Sequence, residues 1–517
     1  MNLFSVLEQQ AIASPTATAI IEGHNKRTSF ATLVKRSAQG AVFLEQYGLK
    51  KGDAVLLFCP MSAELYIILG ALWRLGLLAL FIEPSATAKQ FQQCCELCKP
   101  KAMIAPSRAF LLLGRSPSLR HIPHKFSLDL PFPTGHIWWT SRCWTANSNI
   151  IDCEPEHPAL LTFTSGSTGN PKAAVRSHGF LLRQYQLLAK YLEPKPQQIE
   201  LTHLPIFALV NLAAGRTTII PQGKLRKPAA IAAKPIIRQI QRKQPTSILA
   251  SPAFLERLLN ECQRKDITLL SVRQIFSGGA PIMPRILRRL QQFMPAASIH
   301  ILYGSTEAEP ISIFPHAQQQ ALSPQKGLCV GQPIPEIRVK ILPLQNSASH
   351  YSPYWFKAIC LAPHQVGEIV VAGDHVLNSY LQGAGDRHTK IQVGETLWHR
   401  TGDAGYLDEN NHLWLVGRCS ECRELKNSQL YPFVLETALQ QHPQVKRAAA
   451  IHHAGKNHIF IESTTRQARP KSQELQELLP QSHEVHFIKR MPVDRRHNGK
   501  ILYRKLLAKT LRIGKSR

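Results

Sequence analysis

The chain predicts an α/β fold: a large N-terminal domain followed by a small α+β C-terminal domain. Three observations carry that expectation. Its 517 residues exceed what one ordinary hydrophobic core serves. Strand and helix signals alternate over residues 31–105 and again from 158 to about 302, the pattern of parallel sheets with crossover helices. Residues 310–416 turn instead to short alternating strands among Pro and Gly, and a mixed segment begins near Arg418. We therefore expect an N-terminal domain over 1–417, made of two α/β sheet subdomains and a β subdomain, and a C-terminal domain over 418–517.

Taken in order, the first residues carry no basic n-region and place Glu8 where a secretory signal would be apolar. The most apolar stretch, Ala54–Ile82, is interrupted by Glu64 and Arg74 and is too short between them to span a bilayer. It reads as strand, helix and strand, a buried βαβ unit. Residues 133–158 are turn-rich and read as an irregular connection. Apolar Ala159–Thr164 then predicts a strand, a Gly/Ser/Thr loop follows, and a helix starts near Phe180.

Composition narrows the class. At 44% hydrophobic and 19% charged the chain is globular, and 62 Lys+Arg against 34 Asp+Glu leave a net charge of +28. Such an excess invites a polyanion, and residues 223–243 and 495–517 contain no acid at all. No zinc finger, RNP-like segment or helix-turn-helix is visible, so no nucleic-acid partner is expected. A solvated basic surface and a peripheral contact with an anionic inner-membrane face remain as alternatives. The eleven cysteines, odd in number and irregular in spacing, read as reduced cytoplasmic thiols. Of these, Cys95/Cys98 and Cys419/Cys422 form CxxC pairs. A zinc site would need both pairs to meet in space, so buried cysteine acting as a small hydrophobe is the simpler reading.

The chemistry concentrates in motifs. In Leu161–Lys172, LTFTSGSTGNPK, a strand runs into a loop of glycines, hydroxyls and one lysine. Glycines let backbone N–H groups approach an anion, while hydroxyls and Lys172 add donors and charge. The spacing is not that of a Walker loop. Further motifs follow: Ser277-Gly-Gly-Ala-Pro281, Tyr303-Gly-Ser-Thr-Glu307, Thr401-Gly-Asp403 with Gly417-Arg418, and Asn498-Gly-Lys500.

In kind and order these resemble the signatures of the adenylate-forming superfamily of acyl-CoA synthetases, luciferases and peptide-synthetase adenylation domains. The resemblance implies an AMP- and pyrophosphate-forming ligase that uses ATP and Mg²⁺ to convert a carboxylic acid into an acyl-adenylate. It implies that Thr164, Ser165, Gly166, Ser167, Thr168, Gly169 and Lys172 cradle the phosphates. Gly278, Gly279 and Ala280 would line the adenine and acyl pockets, with Tyr303 stacking on adenine. Thr306 would bond the α-phosphate region, Glu307 would hold Mg²⁺, and Asp403 and Arg418 would take the ribose. Lys500 would bridge carboxylate and phosphate, carried by a mobile C-terminal lid whose hinge position is Glu421.

The departures from the common pattern concern the acid and the second step. After Leu204-Pro-Ile-Phe207, the position where amino-acid-activating domains place an Asp is Ala208, followed by Leu209. An unpaired ammonium there would be costly, so the apolar run through Phe207, Ala208, Leu209 and Asn211 reads as an acyl pocket for an aliphatic acid. Coenzyme-A-using members carry Lys and then Gly after the hinge, where this chain has Glu424 and Asn427, which leaves coenzyme A in question. The run MPVDRRHNGKIL places seven residues between Pro492 and Lys500. With LPIFALVNLAAGRTTIIP, YGSTEAEP and Leu430–Ala449 it looks most like the β-lactone synthetases of bacterial olefin biosynthesis, although Gly499 stands where that branch tends to have Ala. That likeness implies adenylation of a long-chain 3-hydroxy fatty acid and attack by its own hydroxyl. Arg496 and His497 would then lie near the reacting acyl group. The alternative is ligation of a long-chain fatty acid to coenzyme A or to an acyl carrier.

Overall fold

The structure is a computed structural model describing residues 2–82, 87–115, 117–131, 135–146, 149–165, 171–195, 198–225, 228–319, 326–344, 348–425, 428–464, 470, 475, 483–494 and 500–514. It divides into two compact units. The first comprises residues 1–225, 245–249 and 377–387; the second comprises 226–244, 250–376 and 388–517.

The first unit carries both expected α/β layers. In one, strands run in the order His136–Ile137, His124–Ser127, Ala102–Ala105, Ala54–Leu57, Leu78–Phe81, Pro158–Ser165 and Pro171–Ser177. All neighbours are parallel except the last pair, which forms a hairpin. In the other, Lys26–Ser29, Thr18–Glu22, Thr217–Ile219, Ile199–Thr202 and Ser247–Ala250 lie side by side, parallel after the first hairpin.

The apolar stretch Ala54–Ile82 is the buried βαβ unit its sequence predicts. Helix Ala63–Arg74 starts where the Ser62 hydroxyl accepts the Leu65 N–H at 3.3 Å, and it joins two parallel strands in register Ala54↔Leu78. Tyr66 and Trp73 are buried with Phe43, Phe126 and Trp138 in the main core. Trp73 Nε1 donates to Ala159 O at 3.0 Å and Trp138 Nε1 donates to Glu64 Oε1 at 2.6 Å, so neither indole leaves a buried donor unmet. Among the described residues no helix is long and apolar enough to cross a membrane.

In the second unit, the expected β subdomain is an antiparallel sheet in the order Leu328–Gly331, Leu413–Arg418, Thr396–Leu407, Gly367–Ala372 and Arg338–Leu342. Lys390–Val393 and His350–Tyr351 pair beside it. Gln274–Ser277 and Ser298–Ser305 run parallel, and Ala308–Pro315 folds back on the latter. The C-terminal segment is α+β: strands Val445–His453, Lys456–Ser463 and His483–Phe487 with helices Pro432–Leu439 and Tyr503–Gly514. All eleven cysteines are free thiols. Cys94 and Cys95 sit in a core cluster with Leu56 and Met103, where burial pushes both thiols up to about 12.

Candidate active site

In the second unit, strand pairing brings three of the sequence motifs together. Tyr303 lies near the end of strand Ser298–Ser305, and Asp403 and Arg418 face each other across the antiparallel pair Thr396–Leu407 and Leu413–Arg418. The buried Tyr303 Oη donates to Asp403 Oδ2 at 2.9 Å, while Arg418 Nη1 lies 3.0 Å from Asp403 Oδ1. Each carboxylate oxygen thus has its own donor. The Asp403 backbone N–H donates to Thr401 Oγ1 at 3.0 Å, and Arg418 Nη1 donates to Thr401 O at 3.2 Å, which fixes the turn. Burial, with Asp403 alongside, pushes the Tyr303 hydroxyl well above its ordinary range, so it stays a donor. Asp403 raises Arg418 further, leaving a permanent cation that is 44% exposed on its side chain.

The glycine segment adjoins this cluster through the sheet. Gly278 follows strand Gln274–Ser277, and a Cβ there would stand 2.8 Å from Leu302 O, so only glycine admits the neighbouring strand so closely. Gly279 takes φ +78° and turns the chain before Ala280. Thr306 and Glu307 occupy the turn between Ser298–Ser305 and Ala308–Pro315, where the Glu307 N–H donates to Ser305 Oγ at 3.2 Å. Glu307 is half-buried and close enough to Arg418 to raise it. The Glu307 carboxyl is the kind of hard oxygen donor that a divalent ion carried on phosphates would take.

In the first unit, Thr164 and Ser165 end strand Pro158–Ser165 and Lys172 begins the return strand, in register Thr164↔Lys172. Gly166, Ser167, Thr168 and Gly169 lie outside the described residues. Lys172 Nζ stands 5.6 Å from the centre of the Tyr380 ring, and a Cβ on Gly385 would come within 2.7 Å of Lys172 Cε. Residues 377–387 therefore seat this lysine. Asp386 Oδ1 accepts the Tyr380 N–H at 3.1 Å and Ser379 Oγ bonds its other oxygen. The sequence reading missed that segment, since NSYLQGAGD has no periodicity or charge pattern that marks it.

Helix Pro205–Ala213 buries Phe207 and Ala208 and half-buries Leu209, and both Ala208 and Leu209 pack in the main core. Asn211 turns elsewhere. Its Nδ2 donates to Glu200 Oε1 at 2.9 Å and to Thr218 Oγ1 at 3.2 Å, in a buried group where Arg216 Nη1 and Ser247 Oγ reach Glu200 Oε2 at 3.0 and 2.8 Å. In this structure that amide holds the sheet together.

Lys500 is exposed; its N–H donates to Asp494 Oδ1 and its carbonyl accepts the Asp494 N–H, both at 2.9 Å. Arg496, His497 and Asn427 lie outside the described residues. Glu421 sits in the turn after Arg418, its N–H on Arg418 O at 2.9 Å. A cavity of about 530 Å³ also opens in the second unit, lined among others by Glu256, Arg257, Lys446, Arg447, Lys489 and Arg490. None of these is a site residue expected from sequence.

A solved anthranilate CoA ligase in complex with anthranoyl-AMP matches with a TM-score of 0.84 at 17% identity, covering 100% of this chain and 98% of that one. The fold is therefore that of the adenylate-forming enzymes. The family model described as AMP-binding enzyme matches residues 7–381, and the chain belongs to that family. An olefin β-lactone synthetase of Xanthomonas campestris pv. campestris is 29% identical over 445 residues, 82% of this chain and 77% of that protein. The same enzyme of Stenotrophomonas maltophilia is 28% identical over 498 residues, 91% and 89% of the two chains. A 4-coumarate-CoA ligase of Narcissus pseudonarcissus is 25% identical over 447 residues, 84% and 78%. The chain is thus an adenylate-forming enzyme, consistent with ATP and a carboxylic acid as substrates.

Proposed function

We propose that the enzyme activates a long-chain 3-hydroxy fatty acid and closes it to a β-lactone. In the first step a carboxylate oxygen attacks the α-phosphorus of ATP, and the bond to the β-phosphate breaks to release pyrophosphate. Tyr303 stacks on the adenine, and Asp403 accepts from the ribose hydroxyls while Arg418 holds it in place. Gly278, Gly279 and Ala280 line the adenine and acyl pockets. Thr164, Ser165, Gly166, Ser167, Thr168, Gly169, Thr306 and Lys172 receive the phosphates. Glu307 would hold Mg²⁺, which when bound neutralises phosphate charge. Lys500 bridges carboxylate and α-phosphate as a point charge, presented by a lid over 418–517 that hinges at Glu421.

In the second step the substrate's own 3-hydroxyl oxygen attacks the acyl carbon, the bond to AMP breaks, and the hydroxyl proton passes to a base. His497, with Arg496 beside it, is the proposed acceptor. An attack within one molecule needs no thiol and gains from high effective molarity. Phe207, Ala208 and Leu209 contribute an apolar wall for the chain, with Asn211 behind it. The observation that carries this reading is the similarity to two β-lactone synthetases over most of the chain. The similarity to a coenzyme A ligase favours thioester formation as the second reading. Contact of the basic surface with an anionic membrane, where such an acid partitions, extends the first.

Mass spectrometry of products from ATP, Mg²⁺ and a 2-alkyl-3-hydroxy fatty acid, with and without coenzyme A, decides between them. We expect a product lighter by one water, with a β-lactone infrared band, formed equally without coenzyme A. A thioester seen only with coenzyme A makes the enzyme a ligase. Lys500→Ala is expected to stop pyrophosphate release while still cyclising a supplied acyl-adenylate.

A further inference from the structure

In the C-terminal sheet, strand Lys456–Ser463 runs parallel to His483–Phe487, with His458 opposite Glu484 and Phe460 opposite His486. Side chains alternate between the faces of a strand, so His458, Glu484 and His486 share one face. Their ligand atoms converge. His458 Nδ1 is 3.1 Å from His486 Nε2 and 3.6 Å from Glu484 Oε2, and His486 Nε2 is 3.9 Å from that same oxygen. An ion with four nitrogen and oxygen ligands at about 2.0–2.2 Å sets neighbouring ligands about 3.3–3.5 Å apart. The three separations, 3.1, 3.6 and 3.9 Å, bracket that spacing. A hydrogen bond between the two imidazoles accounts for one of its edges and gives no reason for a carboxylate oxygen to close the other two.

We propose that His458, Glu484 and His486 bind one divalent transition-metal ion of the Zn²⁺ class, with a remaining position for water. Two imidazoles and one carboxylate suit Zn²⁺ and its neighbours, whereas Mg²⁺ and Ca²⁺ prefer oxygen ligands throughout. The surroundings prepare each ligand. Lys456 Nζ takes the other carboxylate oxygen, Oε1, at 2.8 Å, leaving Oε2 to the ion. Phe460 stacks on His486 at 4.9 Å and 25°, which fixes the ring plane. His458 is 7% exposed on its side chain, so its ring is held by the surrounding sheet. Glu484 is 41% exposed, so the ion is reached from solvent.

The site has a consequence for the lid. Phe460 also packs with Met491, Leu506, Val493 and Ile501, and the last two pair with each other beside Lys500. An ion joining the two strands therefore stiffens the sheet face that supports the Val493–Ile501 pair beside Lys500. Binding itself does not depend on the proposed reaction.

The test uses the full-length chain stripped with chelator and titrated with Co²⁺, then Zn²⁺, in buffer containing Mg²⁺. We expect one Co²⁺ per chain with the visible spectrum of a four-coordinate nitrogen and oxygen site, displaced by Zn²⁺, and a rise in melting temperature on loading. His458→Ala and His486→Ala are each expected to weaken binding at least as much as loss of an outer-shell partner does, about 10- to 100-fold. Lys456→Ala, which removes the partner of Glu484 Oε1 and no ligand, is expected to weaken it less than either histidine variant. The chain also holds eleven cysteines and other histidines. Binding that survives in the His458→Ala/His486→Ala double variant, a thiolate-to-cobalt charge-transfer band, or no saturable binding overturns the proposal. If an alanine variant melts earlier than the stripped parent, Glu484→Gln at the exposed edge makes the same test without disturbing the core.

Discussion

Asp403 holds two donors at once, Tyr303 on one oxygen and Arg418 on the other. A carboxylate so placed is oriented before any ligand arrives, and it keeps lone pairs for the ribose hydroxyls of the proposed nucleotide site. Asp403→Asn keeps the size and removes the charge opposite Arg418. Hydrogen bonds to charged groups contribute about 1.5–3 kcal/mol, so KM for ATP should rise about 10- to 100-fold with the fold intact. An unchanged KM for ATP would remove Asp403 from nucleotide binding. Tyr303→Phe separates the parts, since it deletes one donor to Asp403 and leaves the ring face available to adenine.

At the scale of elements, Glu436 ties three together. It lies buried on helix Pro432–Leu439, and its Oε1 accepts from Tyr503 Oη at 2.7 Å and from the Ala450 N–H at 3.3 Å, linking the terminal helix Tyr503–Gly514 and strand Val445–His453. Burial pushes this carboxyl up to about 8 from 4.5. Between those values the folded state keeps a proton that the unfolded chain has released. Stability must therefore fall as pH rises from about 4.5 to about 8, by at most about 1.4 kcal/mol per pH unit. The contribution of the Glu436 proton is fully present below the lower value and lost above the upper one. Glu436→Gln is expected to flatten that slope and to stabilise the segment at the alkaline end. Urea unfolding followed at both ends of the window checks this, and an unaltered slope would show that Glu436 is not the group responsible.

The whole molecule carries +28, and helix Ala233–Lys243 displays part of that excess. Lys234, Arg238 and Arg242 are exposed on it at intervals of four residues, so they form one stripe. Near an anionic bilayer each such charge contributes about 1 kcal/mol within a Debye length. The chain should float with anionic vesicles at low salt and be released as salt rises. Failure to float at low salt would leave the stripe as a solvated surface and withdraw the membrane contact.

The sequence by itself determined the class of enzyme and much of the fold. Motifs such as TSGSTGNPK and YGSTE are local, so their chemistry is written in consecutive residues. The βαβ unit at Ala54–Phe81 follows from apolar patterning alone, and the strand before the phosphate loop from its run into Gly and Ser. Only tertiary structure decided which residues meet across long separations. Tyr303 and Asp403 are 100 positions apart, yet one strand register makes them partners. Residues 377–387 seat Lys172 from about 200 positions further on, through ring and glycine contacts that no periodicity marks. Asn211 reads as part of an apolar helix until the helix is placed and its amide meets Glu200. The triangle of His458, Glu484 and His486 was likewise invisible, because the pairing of two strands separated by about twenty residues depends on which edges remain open, a property of the assembled sheet.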